Sequence, residues 1–521
     1  MRGHYMYSYH KRIYSAFEGI PYAKPPIGDL RFEEAQDAQP WDGILEATKL
    51  HQCIQKGFTP LTFGDEDCLY VNIYVPRANP IPEENLNVVV HIHGGAFVLG
   101  DTKIAGPRYV MDRDIVYVNF NFRLNIFGFL STGDSALPGN LGLKDQVFAL
   151  KWVQKNIHFF GGNPNSVTLV GLSSGAACSH LHYFSPLSKG LFHRVMSHSG
   201  VAVAPWVVHN KPLEKAVKLG NAVGCRNSST NELVKCLKTK SALELFQNFE
   251  LTHIIPGFFV LSLGPVIEES SSTAFLTDYP YELLKKRQIH DVPWLTSITT
   301  GEGVMGLTFL NQSVDTLKDN FDYVVPYYLQ YYDKVAKYDK DFVTKQIKQF
   351  YFKNDEISKQ NYINAFGDRT FKVPFEIAVY LQSKVAKSPV YTYVYNYTNS
   401  FRSSNWFGLQ HEGVDHTEDA MLMYELDMPG SLLVPEKLSD SDVIVKDILL
   451  DTIVSFAEDG TPKYKGVSWK PVKDDTEIDY MFINKPDDVT MKAGKEFGAK
   501  TFWSSLPLQE FDKIINVKEE L

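Results

Sequence analysis

The stretch from Val167 to Leu181 constrains this chain more than any other. Val167-Thr168-Leu169-Val170 is a short, β-branched apolar run suited to a buried strand. Gly171-Leu172-Ser173-Ser174-Gly175 follows without a spacer, and Ala176-Ala177-Cys178-Ser179-His180-Leu181 then reads as the start of a helix. A strand that reverses into a helix over so tight a turn leaves no room for side chains at the flanking positions, a demand that glycine meets. The serine between them is held in a strained conformation that thrusts its hydroxyl clear of the sheet. Ser173 is therefore a candidate nucleophile, with a plain glycine-rich structural turn as the rival reading.

A serine hydroxyl is a weak nucleophile until a base takes its proton, and the base needs a carboxylate to fix its tautomer and stabilise its charged form. For a serine on this kind of turn the expected chain order is serine, then acid, then histidine. Downstream, Val292-Pro293-Trp294-Leu295-Thr296-Ser297-Ile298 runs into Thr299-Thr300-Gly301-Glu302-Gly303, which places a carboxylate on a glycine-flanked loop at a strand end. Glu302 is the candidate acid, one among 61 acidic residues. Two histidines, His411 and His416, lie close together further on, and spacing alone does not choose between them. Upstream, Val88-Val89-Val90-His91-Ile92 ends in His93-Gly94-Gly95-Ala96-Phe97, a strand entering a small-residue loop whose backbone N–H groups suit an oxyanion.

Other apolar runs followed by helix-like stretches, Val88 to His93, Asp114 to Asn121, Ser166 to Val170 and Val292 to Thr299, predict a mainly parallel sheet flanked by helices. Residues Gly142 to Ile157 carry apolar side chains at helical spacing, and Gly161-Gly162-Asn163-Pro164-Asn165 is a turn before the next strand. Length would allow several domains, but no repeat, low-complexity segment or linker divides the chain, so residues 1–521 are expected to form one large domain with insertions. The net charge of −9 gives no electrostatic reason to expect nucleic acid or an anionic membrane surface as partner. No run approaches the roughly 18 residues of unbroken apolar sequence that a membrane-spanning helix needs.

Several features point to the secretory pathway. Five cysteines form two local groups, Cys53 with Cys68 and Cys225 with Cys236, plus Cys178. Sequons at Asn227, Asn311 and Asn396 are glycosylation candidates. The terminal Lys518-Glu519-Glu520-Leu521 resembles a retention signal of the endoplasmic reticulum, against the plainer reading of a charged, frayed end. The N-terminus lacks the pattern of a secretory signal.

Six blocks, taken in order, resemble the type-B carboxylesterase and cholinesterase family, and within it the insect esterases. They are Phe17 to Pro26 (FEGIPYAKPP), Glu66 to Asn72 (EDCLYVN), the HGGAF loop, Asn121-Phe122-Arg123-Leu124, Gly142-Leu143-Lys144-Asp145-Gln146 and Phe160-Gly161-Gly162-Asn163-Pro164. The resemblance implies an α/β-hydrolase fold, with Ser173 as nucleophile, Glu302 as acid and His416 as base, which sets His411 aside. It implies oxyanion donors at the N–H groups of Gly95, Ala96 and Ser174, and a supporting Ser199 near the acid. It implies disulfides Cys53–Cys68 and Cys225–Cys236 with Cys178 unpaired, and structural ion pairs Arg31 with Glu66 and Arg123 with Asp145. By the same likeness the chain starts late, its export signal missing, and requires neither metal nor organic cofactor.

The departures from the family pattern are informative. Leu172 and Ser174 stand where most members have Glu and Ala, and the short loop from Cys53 to Cys68 contains no tryptophan, where cholinesterases place the residue that binds their cationic substrate. Choline esters thereby lose their cation-stabilising groups. The expected substrate is a small, uncharged, lipophilic carboxylic ester, xenobiotic or odorant- or lipid-like. Alternatives are a juvenile hormone or odorant-specific esterase, although juvenile hormone esterases commonly carry Gln at the position of Leu172; a slow-turnover scavenger; and a non-catalytic, neuroligin-like adhesion protein, against which all three triad positions are filled.

Overall fold

The apolar runs become neighbours in one eleven-stranded sheet. A computed structural model describes residues 1–56, 61–225, 229–250, 263–310, 318–336, 338–352, 358–425, 435, 437–473 and 477–510. The strands are β1 (His4–Tyr7), β2 (Ile13–Pro21), β3 (Tyr70–Val75), β4 (Leu86–Ile92), β5 (Val116–Phe120), β6 (Gly162–Leu172), β7 (Arg194–His198), β8 (Trp294–Thr299), β9 (Val390–Tyr395), β10 (Ile478–Lys485) and β11 (Asp488–Gly494). Their order across the sheet is β1-β2-β3-β5-β4-β6-β7-β8-β9-β10-β11. Pairing is parallel from β5 through β10 and antiparallel at both margins.

Every residue of β5, β8 and β9 is buried, as a parallel sheet covered on both faces requires. Alternate residues feed two separate cores. Val88, Val90, Leu169 and Val195 pack on one face, while Val89, Val170, Met196 and Leu295 pack on the other. Helices α1 (Leu141–Asn156), α2 (Ser174–Leu181) and α3 (Val373–Val385) supply the first face; α4 (Asp440–Asp459) covers the second with Val445, Leu449, Ile453 and Phe456.

The mainly parallel sheet between helical layers is the architecture expected from the sequence. Helix α1 lies one residue earlier than the apolar spacing predicted. Strand β6 starts at Gly162 rather than Ser166: Gly162 pairs with Leu86, and a register shift before the Val88–Val167 pair absorbs the turn-forming residues. Cys53–Cys68 and Cys225–Cys236 are disulfide-bonded, and Cys178 is free and buried. Arg123 makes a two-pronged, almost fully buried ion pair with Asp145, with contacts of 2.7 and 2.8 Å, and Arg31 makes one with Glu66 at 2.6 Å.

Asn396 is half-buried, its amide nitrogen donating to Asn484 Oδ1 at 2.8 Å and its amide oxygen accepting from Thr300. Asn227, Asn311 and the terminal Lys518 to Leu521 lie outside the described residues. Among the described residues, no helix is long and apolar enough to cross a membrane.

Candidate active site

Ser173 sits between β6 and α2 with φ 56° and ψ −120°, a conformation that L-residues avoid. The glycines on either side are forced by their surroundings. A Cβ on Gly171 would stand 2.1 Å from the Gly175 carbonyl oxygen, and one on Gly175 would stand 2.1 Å from the Ile92 carbonyl oxygen of β4. The strained turn is pinned from the neighbouring strand, where the His198 carbonyl accepts the Ser173 N–H at 2.8 Å.

The Ser173 hydroxyl lies 2.9 Å from His416 Nε2, and His416 Nδ1 is hydrogen-bonded to Glu302 Oε2. The other carboxylate oxygen accepts from Ser199 Oγ at 2.7 Å and from the Thr299 N–H at 2.8 Å. With its oxygens all acting as acceptors, Glu302 fixes the proton on Nδ1 and leaves the Nε2 lone pair facing the serine. Glu302 and Ser199 are fully buried, and His416 is 6% exposed. Glu302 and His416 are 114 residues apart in the chain. Their loops meet through a parallel bridge between Gly301 and Asp415: the Gly301 N–H donates to the Val414 carbonyl at 2.8 Å, and the Val414 N–H to Thr300 Oγ1 at 3.1 Å.

His411, the competing histidine, is bound elsewhere: its Nε2 lies 2.7 Å from Asp415 Oδ1. Asp415 also accepts from Arg402 at 2.6 Å, Ser403 Oγ at 2.9 Å and the Ser404 N–H at 2.6 Å. Burial alone would raise its pKa, but the bond from His411, the Ser404 N–H and the Arg402 charge outweigh it and hold the carboxyl at about 2. Glu418, buried and beside that negative charge, is pushed up to about 8 while accepting the N–H groups of Asp415 and Asn399.

The small-residue loop turns through positive φ at Gly95, Ala96 and Phe97, and Gly94 lies against the elbow: a Cβ there would be 3.1 Å from Ser173 Cβ. The N–H groups of Gly95, Ala96 and Ser174 donate no hydrogen bond among the described residues. Ser174 opens α2, where the first N–H groups have no partner within the helix. The three free donors suit a developing negative charge.

Sequence reasoning missed an aromatic wall beside His416. The Phe371 ring lies 4.5 Å from that of His416 and 5.8 Å from Trp206, which in turn is 6.0 Å from Phe97. Phe371 belongs to a π-helical turn, Asp368–Lys372. Pro374 was the available signal: it has no N–H for the Thr370 carbonyl, which instead accepts the Trp206 indole N–H at 2.9 Å. No group of metal-ligating side chains is found among the described residues.

Known proteins resemble the whole chain. A model of the carboxylesterase family matches residues 1–503. A carboxylic ester hydrolase of Bombus ignitus is 37% identical over 98% of this chain and 93% of its own length. Venom carboxylesterase-6 of Apis mellifera is 36% identical over the same shares. The crystal structure of juvenile hormone esterase from Manduca sexta, with OTFP covalently attached, superposes with a TM-score of 0.86 at 29% identity, covering 99% of this chain and 98% of that one. A sheet of this topology, a family match across almost the full length and relatives of this similarity make the chain a carboxylic ester hydrolase of α/β-hydrolase fold, a member of the carboxylesterase family.

Proposed function

We propose that this chain hydrolyses uncharged, lipophilic carboxylic esters through an acyl-enzyme on Ser173. The observation that carries the reading is the continuous hydrogen-bonded chain Ser173–His416–Glu302 beside three free N–H donors. Ser173 Oγ attacks the ester carbonyl carbon as His416 Nε2 takes its proton, and the oxyanion forms against the N–H groups of Gly95, Ala96 and Ser174. Collapse expels the alcohol, which receives the proton from His416. Water then repeats the sequence on the acyl-enzyme, releasing the acid and restoring the serine. Glu302, held by Ser199, keeps the imidazole oriented and stabilises its charged form. No step calls for a metal or organic cofactor.

The apolar preference rests on the wall of Phe97, Trp206 and Phe371, while Leu172, next to Ser173, adds no charge there and packs into the core of the other sheet face. A hormone- or odorant-specific esterase is a narrower version of the same chemistry, and a relative from Tribolium castaneum, 34% identical, bears the name juvenile hormone esterase. The two disulfides support folding in the secretory pathway, since such bonds persist in oxidising compartments.

Hydrolysis of 4-nitrophenyl acetate, butyrate and octanoate, with burst kinetics, tests the reading. Wild type is expected to turn over, with the acyl-length preference sizing the pocket, and Ser173→Ala to fall by more than about 10⁴-fold. A stoichiometric burst without turnover would make the protein a scavenger. Folded wild type with neither burst nor turnover would reverse the conclusion in favour of a partner-binding role.

A further inference from the structure

Two adjacent residues at the end of β7 touch two members of the proposed triad, Ser173 and Glu302. The His198 carbonyl holds the Ser173 N–H at 2.8 Å, and Ser199 Oγ donates to Glu302 at 2.7 Å. The His198 side chain takes a third direction: its Nδ1 lies 2.8 Å from the Tyr393 hydroxyl, which lies 2.5 Å from Asp419 Oδ2. Asp419 is three residues beyond His416, and its Oδ1 accepts the Ala420 N–H at 2.9 Å at the start of the short helix Ala420–Met423. His198 and Asp419 are fully buried and Tyr393 is almost so.

The shortest contacts set the protons in this second chain. Tyr393 has one hydroxyl proton, and the carboxylate 2.5 Å away claims it. Ser297 Oγ, 3.4 Å from both His198 Nδ1 and Asp419 Oδ2, is the other hydroxyl of the cluster; with Nδ1 donating to the tyrosine oxygen, its nearer neighbour at 2.8 Å, His198 keeps Nε2 as a bare lone pair. Nε2 is indeed buried without a partner, where an N–H would cost more than a lone pair. Burial lowers the pKa of His198 and keeps the ring neutral, although the Asp419 charge pulls the other way.

We propose that His198, Tyr393 and Asp419 form a positioning bridge that sets the distance between the nucleophile elbow and the loop carrying His416. One end is the residue whose backbone fixes Ser173, and the other lies on the segment that follows the base. None of the three touches the reacting atoms, so the bridge acts through the Ser173–His416 geometry. It rests on the reading of those two residues given above.

The test is a set of variants of the full chain assayed for kcat, KM and the acylation burst on 4-nitrophenyl butyrate. Tyr393→Phe keeps the ring and removes the central hydroxyl. Its kcat and burst rate are expected to fall together about tenfold with KM within twofold, because misplacing reacting groups by a fraction of an ångström affects chemistry more than binding. Tyr117→Phe is the control for loss of a buried hydroxyl: Tyr117 lies in the same apolar core and donates to the Ala105 carbonyl, remote from the site, so kcat should stay within twofold. His198→Asn places an amide donor near the position of Nδ1 and should stay within threefold of wild type, whereas His198→Leu should match Tyr393→Phe. The bridge is refuted if Tyr393→Phe keeps kcat within twofold, or if His198→Asn falls as far as His198→Leu; the His198 pair decides should Tyr393→Phe not fold. A silent Ser173→Ala beside a fully active Tyr393→Phe would remove the bridge alone, whereas an active Ser173→Ala would remove the nucleophile reading with it.

Discussion

Around Ser173 the backbone does the holding; around His416 side chains do. The elbow is a strained serine clamped between a strand and a helix, with glycines where any Cβ would collide with main-chain oxygens. The histidine loop is tied down by Arg402, His411, Asp415 and Glu418, a buried cluster of charge and hydrogen bonds. Steric confinement depends on shape and is indifferent to pH. Charge confinement tolerates small changes of shape and depends on protonation. The two halves of one candidate site should therefore fail in different ways.

The largest effect is expected where shape decides. Gly175→Ala drives a methyl group to within 2.1 Å of the Ile92 carbonyl oxygen and 2.5 Å of the His93 carbonyl oxygen. Esterase activity should fall more than about 100-fold, with a loss of about 3 kcal/mol in stability by denaturant titration. A variant with native activity and stability would break the steric side of the comparison.

Asp415→Asn tests the other half. It leaves the Arg402 guanidinium without its nearest carboxylate and should cost about 3 kcal/mol near neutral pH. The Asp415 carboxyl is held at about 2 in the fold against an ordinary value of 3.8, so its contribution is present above 3.8 and lost as pH falls through 2. Wild-type and variant unfolding midpoints should therefore converge as pH is lowered from about 4 towards 2. A gap that stays constant with pH would show that packing, not charge, holds the loop.

The smallest effect concerns Cys178, on α2 five residues beyond Ser173. It is fully buried, and burial pushes its thiol up to about 12. Native enzyme should show no reactive thiol towards a disulfide reagent at pH 8, and one per chain in denaturant. Labelling of the native protein would mean that the elbow opens and is less rigid than its sterics imply.

What could be read in advance follows the same division. Ser173 and the Gly95–Ala96 loop were legible because strand, turn and helix are local, each decided within about ten residues. Glu302 and His416 were not separable from other acids and histidines by spacing; resemblance to known esterases was needed, because the bridge joining Gly301 to Asp415 is long-range. The cluster under His416 left no local pattern, since Arg402 and Glu418 acquire meaning only once the loop has folded back. His198, Tyr393 and Asp419 come from three separated segments and look in sequence like an ordinary strand residue, an ordinary aromatic and one acid among many. Pro374 was the exception: a proline inside a helical stretch signals a carbonyl in need of another partner, although it does not say which.

The parallel bridge between the Glu302 and His416 loops has a consequence for the chain that joins them. It makes the chain between residues 302 and 414 a closed excursion whose two ends are fastened to each other beside Glu302 and His416. Among its described residues, Phe371 lies against His416, Tyr393 reaches Asp419 and Arg402 reaches Asp415, so the excursion turns back on the loop at its own end. The chain that leaves one loop and returns at the other thus braces both, and a change within it is expected to be felt at His416.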